Sequence, residues 1–107
     1  MPVRVKRRYL ALKIESEENF SHKEFISTLW DSLIRLFGEY GASRTGMTLI
    51  DYQTEKKLVI IRVFHKEVET VRAAIAAIKK IKEKPAAVHV IKVSGTLRAL
   101  REKIKTA

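Results

Sequence analysis

The side chains able to do chemistry are few in this chain, and their spacing does not build a self-sufficient active site. His22, His65 and His89 share no metal-ligand spacing with one another or with nearby carboxylates, so surface or strand-end roles are the simpler reading. Asp51 is a lone acid inside an apolar, β-rich run, where a solvent-facing or paired carboxylate accounts for it. There is no cysteine, hence no disulfide framework and no thiolate metal site. Paired carboxylates, a nucleophile with its base, and a glycine-rich loop of the P-loop kind are all missing from the pattern. The expectation is therefore a protein with no catalytic residue and no metal site of its own. The most site-like stretch is "SGTLR", Ser94 to Arg98. A Ser-Gly-Thr turn opening a helix offers free backbone N–H groups, hydroxyls and a positive dipole end to an anion, with Arg98 close by. Spacing alone favours the plainer alternative, a helix cap supplied by Ser94 or Thr96, with Gly95 allowing the bend.

Charge is the stronger signal. Lys and Arg number 22 against 12 Asp and Glu, a formal +10 on 107 residues. Such an excess on one small domain calls for an anionic partner, nucleic acid ahead of a membrane surface; a Lys- and Glu-rich thermophile surface is the bland alternative. The cations are grouped. Arg4, Lys6, Arg7 and Arg8 form an acid-free arm over residues 1–8. Lys56 and Lys57 fall in a turn, and Arg98, Arg101, Lys103 and Lys105 decorate the last segment. Acids gather elsewhere, at Glu15, Glu17, Glu18 and Glu24, which leaves the basic edge cleaner and also favours a helix N-terminus nearby.

The elements that must carry these groups follow from periodicity. "RYLALKIES" alternates, with Leu10, Leu12 and Ile14 on one face, and predicts a half-buried strand. Ser21 followed by Glu24 fits a capping box, and Phe25, Ile26, Leu29, Trp30, Leu33, Ile34 and Phe37 recur at helical spacing as one wide apolar stripe until Gly38 and Gly41 bracket the end. "TGMTLIDY" and "KLVIIRVF", joined by "QTEK", read as a hairpin. A second helix is predicted from about Glu67 to Lys82, its terminal lysines suited to the dipole and Pro85 stopping it. "AVHVIKV" is a fourth strand. Leu97, Leu100 and Ile104 stripe a short basic helix over about 96–105.

The order β-α-β-β-α-β with an extra C-terminal helix predicts an α+β, ferredoxin-like or RRM-like sandwich in a single domain spanning residues 1–107. One strand complicates it. Val59, Ile61 and Val63 can face the helices, but Leu58, Ile60 and Phe64 then point to the open face, near Tyr9. A strand apolar on both sides needs cover on both, and the sequence leaves two sources open: the terminal helix, or a protein partner docking on Tyr9, Leu58, Ile60 and Phe64. Base stacking in the manner of RNA recognition motifs is weakly supported, since only Tyr9 and Phe64 could serve.

Three stretches, "VRVKRRYLALKI", "LVIIRV" and "IKVSGTLRALREKI", taken in this order across nearly the whole chain, resemble the Pop-five family of ribonuclease P protein subunits. Arg8-Tyr9-Leu10, Arg62 and Gly95-Thr96-Leu97-Arg98 carry the likeness. The resemblance implies an RRM-like fold and a non-catalytic subunit that binds ribonuclease P RNA and supports removal of the 5′ leader from precursor tRNA. It implies that the RNA does the chemistry, with Mg²⁺ on the RNA and no cofactor on the protein. It further implies a pairing with an Rpp-thirty-type barrel subunit in a heterotetramer, with precursor tRNA an indirect partner and direct contact with it left open by the sequence. The candidate RNA-binding residues are Arg4, Lys6, Arg7, Arg8, Lys56, Lys57, Arg62, Ser94, Gly95, Thr96, Arg98 and Arg101: the grouped cations and the Ser-Gly-Thr turn, together with Arg62, which the resemblance adds. Lys56-Lys57 departs from the glycine associated with many relatives. No acidic tail follows the last helix, which points to an archaeal, cytoplasmic member rather than a nuclear or nucleolar one. No apolar run is long enough for a signal peptide or membrane span, so an intracellular protein without membrane contact is expected. The rival readings are a freestanding or ribosomal-type domain for structured RNA and, on the same fold, an acylphosphatase-like enzyme, whose anion loop the acidic "ESEENFSHKEF" does not fit.

Overall fold

The computed structural model describes residues 6–106. β1 (Arg7–Glu15) is central in a four-stranded sheet with β2 (Thr48–Gln53), β3 (Leu58–Phe64) and β6 (Ala87–Ser94), in the order β2-β3-β1-β6. Every pairing is antiparallel, which is the ferredoxin-like arrangement the element order requires. The alternation read in β1 decides its faces: Leu10, Leu12 and Ile14 are buried with Val59, Ile61 and Val63 beneath the helices.

α1 (His22–Ser43) starts where the capping box places it. Glu24 N–H donates to the Ser21 hydroxyl at 3.2 Å, and Ser21 N–H to the Glu24 carboxylate at 2.9 Å. The Tyr52 hydroxyl donates to the Phe20 carbonyl at 2.6 Å and pins the loop before the helix to β2. Burial, assisted by the nearby Glu24 carboxylate, raises the Tyr52 pKa above its ordinary value. The helix does not finish at Gly38 as its glycines predict. Gly38 takes φ 76°, a left-handed conformation that kinks the helix, and helical turns then resume to Ser43.

The second helix is shorter than its composition predicts. After one 3₁₀ turn at His65–Glu67, α2 spans Val68–Ala76 rather than reaching Lys82. Residues 80–85 instead form a two-stranded hairpin of β4 (Lys80–Ile81) and β5 (Lys84–Pro85), turning at Lys82 and Glu83, both with positive φ. Pro85 acts further upstream than a simple stop: it holds Lys84 extended, so the helix must end early enough for a turn to fit. The hairpin also lets Ile78, Ile81 and Ala86 all enter the core. The lysines expected at a helix C-terminus therefore sit on a hairpin.

α3 (Leu97–Thr106) lies on the other face of the sheet. Leu100 is fully buried there against Ala11, Leu58 and Ile60, with Tyr9, Ile50, Leu97 and Ile104 around them. A bulge in β2 lets Ile50 join this second cluster, and another in β6 leaves Ile91 exposed. Of the two possible covers for the doubly apolar β3, the terminal helix supplies the one seen.

Candidate nucleic-acid interface

α3 covers only part of its sheet face. Beyond its N-terminal end one register row runs across all four strands: Thr48 opposite Arg62, Arg62 opposite Tyr9, and Tyr9 opposite Ser94. Antiparallel partners share a face, so this row is a polar band at the edge of the helix. Arg62 is its centre. The side chain is half-buried, and its Nε is buried with no hydrogen-bond partner among the described residues. Leaving such a donor unmet costs on the order of 1–3 kcal/mol; Nε itself is closed off, and it is the accessible part of the half-buried guanidinium that suits a carboxylate or phosphate oxygen.

The cations of the basic arm reach the same edge. Lys6 precedes β1, where its carbonyl accepts His65 N–H at 2.7 Å. The Arg7 guanidinium lies 5.9 Å from the centroid of the Phe64 ring. Phe64 rests on Gly46, where a Cβ would fall 2.6 Å from the ring and φ is +64°, so glycine is needed there twice over. Arg8 donates to the Arg7 carbonyl at 3.0 Å, and its Nη1 would be 3.7 Å from a Cβ at Gly95. Arg8 and Gly95 of the Ser-Gly-Thr turn, at opposite ends of the sequence, are thus neighbours. Arg4 lies outside the described residues.

The turn itself is a working cap. Ser94 Oγ accepts Thr96 N–H at 3.4 Å, Thr96 Oγ1 accepts Ala99 N–H at 3.2 Å, and Leu100 N–H reaches the Thr96 carbonyl at 3.1 Å. The hydroxyls are spent on local backbone, as the plainer reading of the sequence has it. Arg101 and Arg98 are exposed on α3; Arg98 lies 3.7 Å from Glu102, an exposed i,i+4 pair of little energetic weight. Lys92, opposite Ala11, extends the positive field along the same face.

Lys56 and Lys57 stand apart, at the β2–β3 turn on the far side of α3's footprint. Lys57 takes φ 54° and its ammonium donates to the Ser16 carbonyl, while Lys13 Nζ donates to the Lys56 carbonyl at 2.5 Å. Lys57 is thus committed inside the fold, and only Lys56 is exposed. Leu58 and Ile60 are buried beneath α3 and Tyr9 and Phe64 are half-buried. The large apolar surface open to a partner is on α1, where Ile34, Leu36, Phe37 and Tyr40 surround the Gly38 kink. Trp30, Ile34 and Phe37 recur there at i, i+4 and i+7, a pattern the sequence offered only as core.

The histidines keep to unremarkable places: His89 Nε2 is 2.8 Å from Glu15 on the surface, His22 edges the Tyr52 ring, and His65 is exposed. Asp51 accepts a hydrogen bond from Gln53 at 3.1 Å. Among the described residues no three His, Asp or Glu side chains converge to hold a metal ion, and no helix is long and apolar enough to cross a membrane.

The sequence model of the Rpp14/Pop5 family matches residues 8–105. This chain belongs to that family. Its relatives include proteins named ribonuclease P protein component 2. That of Methanococcus maripaludis strain S2 is 36% identical over 101 residues, 94% of this chain and 76% of the relative. That of Methanosarcina mazei is 34% identical over 94% and 85% of the two chains, and that of Pyrococcus furiosus 31% over 94% and 84%. A chain in the cryo-EM structure of yeast ribonuclease MRP superposes with a TM-score of 0.74 over 99% of this chain and 93% of that one. At 18% identity that likeness is one of fold. The Rpp14/Pop5 match begins at Arg8 and ends at Lys105, so it takes in the polar row, the capped turn and all the cations of α3.

Proposed function

We propose that this Rpp14/Pop5 chain is an RNA-binding, non-catalytic subunit of ribonuclease P, supporting removal of the 5′ leader from precursor tRNA by the RNA of that enzyme. The observation that carries the reading is the polar row centred on the half-buried Arg62 and flanked by Arg7, Arg8, Arg98 and Arg101. Arginines at the border of a half-covered sheet meet phosphate oxygens well, and most of the affinity they supply is independent of sequence. The names of the relatives support ribonuclease P as the complex. In this proposal Mg²⁺ belongs to the RNA, and an archaeal member would work in the cytoplasm.

The test is reconstitution. Leader cleavage of precursor tRNA is measured with ribonuclease P RNA and the barrel-type protein subunit, with and without this chain, at moderate Mg²⁺. Cleavage that rises strongly when the chain is added is the expected result. No change, with the chain folded and bound to RNA, would leave a freestanding RNA-binding domain as the better account.

The same proposal gives the barrel-type subunit a docking place on the α1 patch rather than on the strand face that α3 covers. An exposed cluster of Phe, Tyr, Leu and Ile on a small soluble domain is a partner surface by its chemistry. Phe37→Asp is expected to abolish co-purification with the barrel-type subunit while RNA binding by the isolated chain stays at the wild-type level. Retained co-purification would place that partner elsewhere.

A further inference from the structure

We propose that the 80–85 hairpin, with Lys79 before it, is a second RNA-contacting surface, set on the opposite side of the sheet from α3, so that one chain grips two separate stretches of phosphate backbone. The inference rests on the RNA-binding reading above and adds to it a surface that neither composition nor family likeness assigns.

Its placement is firm. Ile81 is fully buried in the core between the sheet and the helices α1 and α2, whereas α3 is held by the second cluster on the other sheet face. Ala86 N–H donates to the Lys79 carbonyl at 3.0 Å, and the Ser16 hydroxyl donates to the Pro85 carbonyl at 3.0 Å. The hairpin is therefore fastened at its base to both the core and the β1–α1 loop.

Its side chains are unspent. Lys79, Lys80 and Lys82 are exposed and form no ion pair among the described residues, whereas Lys84 lies 3.8 Å from Glu18 and counts for less. A groove between the hairpin and α1 adds Arg35, giving four cations against the acids Asp31 and Glu83. None of the exposed large hydrophobics is on the hairpin. A protein interface needs a buried apolar or aromatic anchor at its centre, while lysine tips on a rigid loop match the scattered oxygens of a phosphate backbone.

The turn supplies an independent observation. Ile81 pairs with Lys84, leaving Lys82 and Glu83 as a two-residue loop with φ of 51° and 66°. That is the left-handed geometry of a type I′ turn, which Asn-Gly adopts readily and a long side chain adopts with strain. Residues that strain the local backbone mark places where the side chain itself is needed. Here the strained position at the tip presents an ammonium outward.

The experiment measures how affinity for ribonuclease P RNA depends on salt. Replacing Lys79, Lys80 and Lys82 together by Gln is expected to flatten the slope of log K against log salt by about 3, and Arg98→Gln with Arg101→Gln by about 2. The two sets should add, and hydroxyl-radical footprints should lose different RNA segments. Lys82→Asn with Glu83→Gly relieves the turn, so it should raise Tm while flattening the slope by about 1. A lysine triple variant with the wild-type slope and footprint would overturn the inference. So would one that binds RNA normally but no longer co-purifies with the barrel-type subunit, since the hairpin would then be a protein contact. If the wild-type chain itself shows no salt-dependent binding, the RNA-binding reading falls and this inference with it, a result distinct from failure of the hairpin variants alone.

Discussion

Leu100→Ala is expected to lower the unfolding free energy by about 3 kcal/mol, in the lower half of the range for emptying a fully buried leucine site. The reason is the singularity of the contact. Leu100 is 0% exposed and, among the described residues, is the one residue of α3 wholly inside the second cluster, where it covers Ala11, Leu58 and Ile60. A ten-residue helix has little stability of its own in water, so α3 stays in place through this stripe and its Thr96 cap. Truncation leaves a hole and loosens the helix at once, which uncovers Leu58 and Ile60 and swings Arg98 and Arg101 away from the Arg62 row. Urea denaturation gives the stability loss, and amide exchange across 97–106 shows whether the helix has undocked. Leu100→Met should cost less than about 1.5 kcal/mol, because it keeps volume and apolarity. A loss below about 1 kcal/mol for the alanine variant, with the helix still protected from exchange, would mean that α3 is held by something other than Leu100.

That dependence explains what could be read from the sequence. The strands, the capping box at Ser21 and the stripe of α3 are local patterns, each set by periodicity within one segment, and they are found where the pattern puts them. The doubly apolar β3 was equally visible, but its cover was not, because an intramolecular helix and a partner satisfy the same hydrophobic demand. Only the docking of α3 separates them. The hairpin at 80–85 was hidden for another reason. Its residues are good helix formers by composition, and its turn uses Lys82 and Glu83 where Asn or Gly would have announced a reversal. The signal present was Pro85, whose influence on Lys84 reaches back beyond a simple stop.

The site was legible in composition and not in arrangement. A basic arm, Arg62 and a basic helix can be counted along the chain, but nothing in their spacing shows that Arg8 adjoins Gly95 or that Thr48, Arg62, Tyr9 and Ser94 share one row. Those neighbours are made by register, and register is set by which face of each strand must be buried. The same logic removes Lys57 from the free cations. Its positive φ and its hydrogen bond to Ser16 make it part of the β2–β3 turn's structure.

Arg62 is where stability and binding should move in opposite directions. In the free chain its Nε is buried and unpaired on β3, between Tyr9 and Thr48. Arg62→Met keeps the length of the side chain and removes the unmet donor, so stability should hold or rise by up to about 1 kcal/mol. RNA affinity should fall about 10- to 100-fold, since a hydrogen bond to a charged group is worth on the order of 1.5–3 kcal/mol. Arg62→Lys separates charge from geometry: it restores a cation without the planar fork, and should recover only part of the loss if the site takes a phosphate in bidentate fashion. Thermal melts and RNA titrations on the same preparations decide it. If Arg62→Met instead unfolds more easily and binds RNA as tightly as the parent, the guanidinium is a packing element, and the row it centres does not hold the RNA.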